Sequence, residues 1–473
     1  MLQIMENSHL VAIMRTFSAK EVRSLRKWLG SPVHNQRDDV VQLFEYLMAG
    51  AHLTEEKFLE KERVFSKVFN GEPFDDAKLR QSMHFLLKAI EEFLIYEELR
   101  GDEVRSRMAL SSVYRKRKLD KAFQKTINSV ETLQEKAPYR DEHYLRNEYL
   151  LQLEKYTFQE GKKRTAEMNL QEVSDALDTT FLADKLRQSC LMIAHQAVYK
   201  ASYNIGLLEE VLEHVKRPEL MKHPAIAIYY NGYMAFTHEG NSDYFQALRQ
   251  EIQNNLHLFS HSEIRDIFLM AINYCIRKMN VGEATFVREA FELYRSGIEE
   301  GILIENGLVS RFTFLNVIRI ALRLGEFNWV ESFIPDYKQY LAPKFRDTIV
   351  HYSKAKLLFE KKDYAAAMEL LAHVDYDDVL LTLNARLMLI KIFYETDEYD
   401  ALDSLLESMR TYIHRKDLTS SYKSNYQNII RYTKKLVRIN PYDGSQKSKL
   451  KTEIIAANPL TEKSWLLEHL EKL

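Results

Sequence analysis

Glycine and proline are scarce, with 14 and 9 residues in a chain of 473, against ordinary usage of about 7% and 5%. Folds built from strands need positive-φ positions and chain breakers at every hairpin. The shortage excludes a β-rich architecture, and the chain is expected to be all-α. Cysteine is nearly absent. Cys190 and Cys275 lie apart in apolar helical stretches, which gives no disulfide framework and suggests two buried small hydrophobes in a reducing compartment. No apolar run approaches the roughly 18 residues of a membrane span. The opening MLQIMENSHLVAIMRTF has no basic stretch ahead of an apolar one, so a secretion signal is not expected and a cytoplasmic location is. Excess charge of one sign is also missing: 66 basic residues stand against 68 acidic ones, net −2. No global field then recruits nucleic acid or an anionic membrane, and such binding needs a local patch.

Motifs that carry catalysis or cofactor binding are missing as well. There is no HExxH, CxxC, GxSxG or GxGxxG, so no catalytic residue, metal or cofactor is expected. His257 and His261 share helical spacing near Glu263, but Ser260 and Ser262 suggest a helix starting near Glu263, which leaves the pair astride a loop as plain surface histidines. Gly161-Lys-Lys-Arg-Thr165 resembles the end of a phosphate-binding loop. It lacks the earlier glycine and the preceding strand, and reads as a solvated helix end. Asp375, Asp377 and Asp378 fit the first turn of a capped helix, where carboxylates are favoured. Arg115–Lys118 closes a helix, where cations are favoured.

What the chain does contain is helix-forming residues and helix punctuation. Residues 1–105 form a first helical unit. Ser18-Ala-Lys-Glu21 is a capping box, Asp38–Leu47 is a second helix, and Thr54-Glu-Glu is expected to cap the next. Over Phe74–Leu99, Leu79, Met83, Leu86, Leu87, Ile90, Phe93 and Leu94 fall on one stripe. This segment loosely resembles a winged-helix recognition helix, with Lys78, Gln81 and Lys88 toward DNA. Glu91, Glu92, Glu97 and Glu98 oppose that reading, because phosphate contact needs the opposite sign.

From residue 106 to 417 the pattern becomes helix pairs joined by short polar turns. A large residue after the turn is followed three positions later by a smaller one, as in Leu119/Ala122, Tyr244/Ala247, Phe327/Val330, Tyr364/Ala367 and Tyr399/Leu402. Phe327, Tyr364 and Tyr399 are 37 and 35 positions apart, close to the roughly 34-residue tetratricopeptide period. The best copies are KAKLLFEKKDYAAAMELLAHV and LMLIKIFYETDEYDALDSLLESM. The chain resembles a degenerate tetratricopeptide-like (TPR-like) α-solenoid, most strongly over 311–410. The family's early tryptophan and repeat-ending proline are mostly missing. Three further strings, SPVHNQRDDVVQLFEYL (31–47), VFNGEPFDDAKLRQSMHFLLK (68–88) and EKSWLLEHLEKL (462–473), resemble an uncharacterised bacterial family of helical proteins, a resemblance that brings no activity with it. Residues 418–473 are expected to form a basic helical cap, because helical repeats need a terminal unit with a polar outer face.

The resemblance implies a concave groove lined by the first helix of each repeat. The residue eight before each recurrent aromatic is Arg319, Lys356 or Lys391, a cation three times over. The same register adds Tyr352, Phe359 and Tyr394 to that face, with Arg323 alongside. A basic ladder interleaved with aromatics suits an acidic peptide. The leading expectation is a non-enzymatic protein–protein interaction scaffold. One alternative is a peptide-sensing regulator with an N-terminal effector or DNA-binding unit. Another is a nucleic-acid-contacting protein using 415–451, where ten Lys/Arg face only Asp417 and Asp443 and tyrosines interleave.

Overall fold

The structure, a computed structural model, describes residues 4–160, 168–198, 201–238, 240–372, 378–416 and 418–473. Among these the chain forms twenty-four α-helices. The first nine are α1 (His9–Met14), α2 (Ala19–Leu29), α3 (Asp38–Leu47), α4 (Lys61–Val68), α5 (Asp76–Gly101), α6 (Glu103–Lys116), α7 (Asp120–Glu135), α8 (Glu142–Glu160) and α9 (Leu170–Val198). Next come α10 (Leu208–His214), α11 (Pro218–Met221), α12 (Pro224–Thr237), α13 (Asp243–Asn255), α14 (His261–Asn280), α15 (Thr285–Glu299), α16 (Arg311–Arg323) and α17 (Phe327–Tyr337). The last are α18 (Pro343–Glu360), α19 (Tyr364–Ala372), α20 (Val379–Glu395), α21 (Tyr399–Arg415), α22 (Ser420–Arg438), α23 (Gly444–Ala456) and α24 (Lys463–Lys472). The fold is all-α, as the composition requires. One exception is a hairpin of β1 (Ile304–Glu305) and β2 (Leu308–Val309). Asn306 and Gly307 between them both take positive φ, the turn that an Asn-Gly pair favours in a two-residue hairpin.

The chain divides into two compact units, 1–182 and 183–473. In the first, Ser18 and Glu21 form the reciprocal capping box at the start of α2. The expected cap at Thr54 does not form. Its hydroxyl instead donates to the Ala51 carbonyl at 3.0 Å, a short 3-10 turn follows at Glu56–Phe58, and α4 begins only at Lys61. Leu79, Leu86, Ile90 and Phe93 of α5 are buried with Val40, Leu43, Phe44 and Leu47 of α3 in one core. Asp39 sits at its edge, 2.7 Å from Arg37 and accepting from the Ser82 hydroxyl. Burial works to raise its carboxyl, but these hydrogen bonds hold it below the usual carboxylate range.

In the second unit consecutive helices pack as pairs, α12 with α13, α14 with α15, α18 with α19, α20 with α21. The recurrent turn seen in the sequence has a definite geometry. Gly325, Lys362 and Asp397 all take positive φ. The amides just after them, of Glu326, Asp363 and Glu398, donate to Ala321, Leu358 and Phe393 carbonyls at 3.0, 3.0 and 2.9 Å. That bond closes the last turn of a helix by giving a donor to one of its terminal carbonyls. The aromatic that follows two residues later starts the next helix. Cys190 and Cys275 are buried, and burial pushes the Cys190 thiol up to about 12, so it packs as a small hydrophobe. At the C-terminal end, Leu450, Ile454, Trp465, Leu466 and Leu470 share one core with residues of α20, α21 and α22.

Candidate functional site

Helices α16, α18 and the start of α20 enclose a cavity of about 460 Å³. Arg319 and Lys356, two members of the expected ladder, both line it, as does Tyr352. Arg311 and Lys344 add two further cations to the wall, and Asp378 supplies one carboxylate. That carboxylate is committed twice. It accepts from the Leu380 and Leu381 amides at the start of α20, and it lies 3.1 Å from Arg311. Lys356 lies 2.7 Å from Glu360 on its own helix, and Arg319 donates a long 3.4 Å bond to Asn316. Apolar surface completes the site. Phe345 lies beneath Arg311, and Phe312 is 60% exposed. Ser353 is fully buried in the wall, and its hydroxyl has no hydrogen-bond partner.

The other ladder residues lie elsewhere. Arg323 is exposed at the end of α16 and does not line this cavity. Phe359 is buried beneath the ammonium groups of Lys356 and Lys391, at 4.9 and 5.2 Å from its ring. Lys391 is engaged by the chain's own C-terminal segment, 2.9 Å from the Glu462 carboxylate. Tyr394 is covered by Trp465 and His469, with ring centroids 5.3 and 5.0 Å away. Burial pushes its phenol up to about 12. The register therefore brings Arg319, Tyr352 and Lys356 to one cavity, while Lys391 and Tyr394 hold the C-terminal helix.

That attachment centres on Glu395. Its carboxylate accepts the Trp465 indole N–H at 2.9 Å and the Tyr364 hydroxyl, and lies 3.4 Å from His469. Burial works to raise Glu395, but these contacts keep it low. Burial lowers His469 below its ordinary 6.5, reinforced by Lys472 and opposed by Glu395 and Glu468. The unfolded histidine takes up a proton near 6.5, more readily than the docked one. Stability is thus lost as pH falls through that value, and Glu395 adds a loss of the same sign at lower pH. Protection of α24 amides, corrected for intrinsic exchange, is expected to fall between pH 7 and pH 5. The drop is limited to about tenfold per pH unit for one proton. In His469→Gln it should be largely gone.

The remaining motifs have ordinary surroundings. His261 begins α14, where its ring meets the Gly301 carbonyl at 3.3 Å, and His257 lies in the preceding 3-10 turn. Among the described residues no group of three or more His, Cys, Asp or Glu is placed to hold a metal. Residues 161–165, Asp375, Asp377 and Asp417 lie outside the described residues. Arg115 pairs with Glu154 at 2.8 Å near the end of α6. Lys78 pairs with Glu72, while Gln81 and Lys88 are exposed on α5. In the basic C-terminal segment Tyr426 and Tyr432 are buried, and Lys434 and Lys435 face Glu407 and Glu453. A cavity of about 330 Å³ there is lined by both lysines with Arg438 and Lys449.

No protein-family model matches the chain, and no curated protein or solved structure matches it. Among the described residues no helix is long and apolar enough to cross a membrane. The sequence reading missed Arg311, Lys344 and Ser353, whose positions outside the repeat register gave no signal. It also missed Glu360 and Glu395, for which a signal existed. KLLFE at 356–360 and KIFYE at 391–395 repeat the same cation, aromatic and acid at 35-residue spacing.

Proposed function

We propose that this chain is a non-enzymatic protein-interaction scaffold, a TPR-like α-solenoid that holds an acidic segment of a partner against α16, α18 and α20. The observation that carries the reading is the cavity to which successive helix pairs contribute Arg319 and Lys356, alongside Arg311 and Lys344. Asp378 answers Arg311 at 3.1 Å and Glu360 answers Lys356 at 2.7 Å, which leaves Arg319 and Lys344 without a carboxylate partner among the described residues. An anionic ligand would supply the missing charge, and the apolar floor would add contact area. A cytoplasmic setting is part of the proposal and rests on the sequence alone.

The test is binding of the full chain to an array of short acidic peptides, before and after Arg319→Glu with Lys356→Glu. Losing one charge-assisted hydrogen bond costs about 1.5–3 kcal/mol, so binding should weaken by well over tenfold. The helical signal should be retained. Arg319 is exposed and its reversal should cost within about 0.5 kcal/mol, whereas Lys356 is half-buried and paired with Glu360, so the double variant should melt at a lower temperature while staying folded at the assay temperature. Undiminished binding in the double variant would remove this cavity from the binding surface.

A further inference from the structure

The two cations of the cavity that the chain leaves unanswered, Arg319 and Lys344, are both exposed and stand at opposite ends of the site. Lys344 marks the end where α16 and α18 begin. Its ammonium lies 5.4 Å from the Phe345 ring, and the Arg311 guanidinium lies 4.6 Å from the same ring. Arg319 is eight residues beyond Arg311 on α16, which at the rise of an α-helix is about 12 Å. Between the two ends the lining is uncharged. Half-buried Leu315 lies midway between Arg311 and Arg319 on one side, and Thr348 and Ile349 of α18 lie on the other.

Spacing and volume together select the shape of an occupant. Two turns of helix with their side chains are about 10–12 Å wide and fill on the order of 1,000 Å³. The cavity holds about 460 Å³, so a helix is too large for it. An extended segment rises about 3.3 Å per residue, and a step of four residues covers about 13 Å. Its side chains alternate, so that positions i, i+2 and i+4 face the same way. Carboxylates at the outer two positions then reach Lys344 and Arg319, while the middle side chain meets the uncharged stretch at Leu315.

We propose that this cavity receives an extended segment of a partner protein in which two acidic residues lie four positions apart with an apolar residue midway. One carboxylate rests at the Lys344 end and the other on Arg319. This rests on the scaffold reading above and specifies its ligand: the number of carboxylates, their spacing and the backbone conformation.

The probe is a fluorescein-labelled peptide, Gly-Ser-Glu-Ser-Leu-Ser-Glu-Ser-Gly, added to the full chain and followed by fluorescence anisotropy. Two isomers of the same composition carry the glutamates two and six positions apart around the same leucine. The four-residue spacing is expected to bind severalfold more tightly than either isomer. Arg319→Gln and Lys344→Gln should each weaken it more than tenfold, the scale of one charge-assisted hydrogen bond. The melting temperature should stay put, because both side chains are exposed and without a carboxylate partner among the described residues. Replacing each peptide glutamate by glutamine completes a double-mutant cycle. In Arg319→Gln one glutamate should lose its effect, and in Lys344→Gln the other. The proposal falls if the three isomers bind equally, or if both protein variants silence the same glutamate. Should the isomers bind equally and all weaken in Arg319→Gln, the spacing is wrong and the acidic groove stands. If no isomer binds, or if binding ignores both protein variants, the groove reading falls as well.

Discussion

A chain ended at Asn440 is expected to lose most of the hydrogen-exchange protection of α20, α21 and α22. The cut removes α23 and α24, and with them Leu450, Ile454, Trp465, Leu466 and Leu470, all buried in the core shared with Leu383, Leu387, Ile390 and Leu436. Fully burying one such side chain is worth about 1.5–3 kcal/mol. The five together contribute roughly 7–15 kcal/mol, an upper bound because the unfolded chain already hides some of this surface. That is the size of a whole domain's net stability, about 5–15 kcal/mol. Polar groups are stranded at the same time, since Glu395 loses its indole donor and Lys391 its carboxylate. The point variant Trp465→Ala should reproduce a large part of the effect, about 3–5 kcal/mol. Exchange over residues 380–430 measured in the truncated and intact chains decides it. Equal protection would show that the C-terminal helices do not cap the core.

In the first unit, Phe44→Ala should be the corresponding lesion, destabilising by about 3–5 kcal/mol. Phe44 is fully buried on α3, in line with Val40 and Leu47 at helical spacing, and α3 packs directly on α5. Truncation leaves a cavity that α3 and α5 cannot close without moving the Leu79–Phe93 stripe. Urea unfolding read by exchange of α3 and α5 amides gives the magnitude. Exchange over α20–α22 in the same sample serves as the internal reference. A change below about 1 kcal/mol would mean that this core collapses readily around the missing ring.

Much of this fold was legible from local chemistry. The Ser18–Glu21 box, the α5 stripe and the recurrent turn before Phe327, Tyr364 and Tyr399 each depend on residues a few positions apart, and each appears as read. Thr54 misled because a capping signature states only what a side chain can accept. There the chain closes an Ala51 turn instead, and the helix waits until Lys61. The Asn306–Gly307 hairpin went unread, although an Asn-Gly pair is a strong local signal for a two-residue turn. In the candidate site, register placed Arg319 and Lys356 together, because equivalent repeat positions point in equivalent directions. It could not place Lys391, whose partner Glu462 lies 71 residues away. Nor could it mark Ser353, a position defined only once α16, α18 and α20 have packed.

The pairing of consecutive helices also governs how such a chain can change. Most packing partners of a residue in α12–α21 lie on the helices just before and after its own. A substitution there is judged by few other positions, and a compensating change has to arise only nearby. The aromatic after the turn can alternate between Phe327, Tyr364 and Tyr399, and the positive-φ residue before it between Gly325, Lys362 and Asp397. Each turn keeps its closing bond. The stretch from α20 to α24 is the exception: Lys391, Tyr394 and Glu395 answer to Glu462, Trp465 and His469. Sequence drift is cheap along the pairs and expensive at this end.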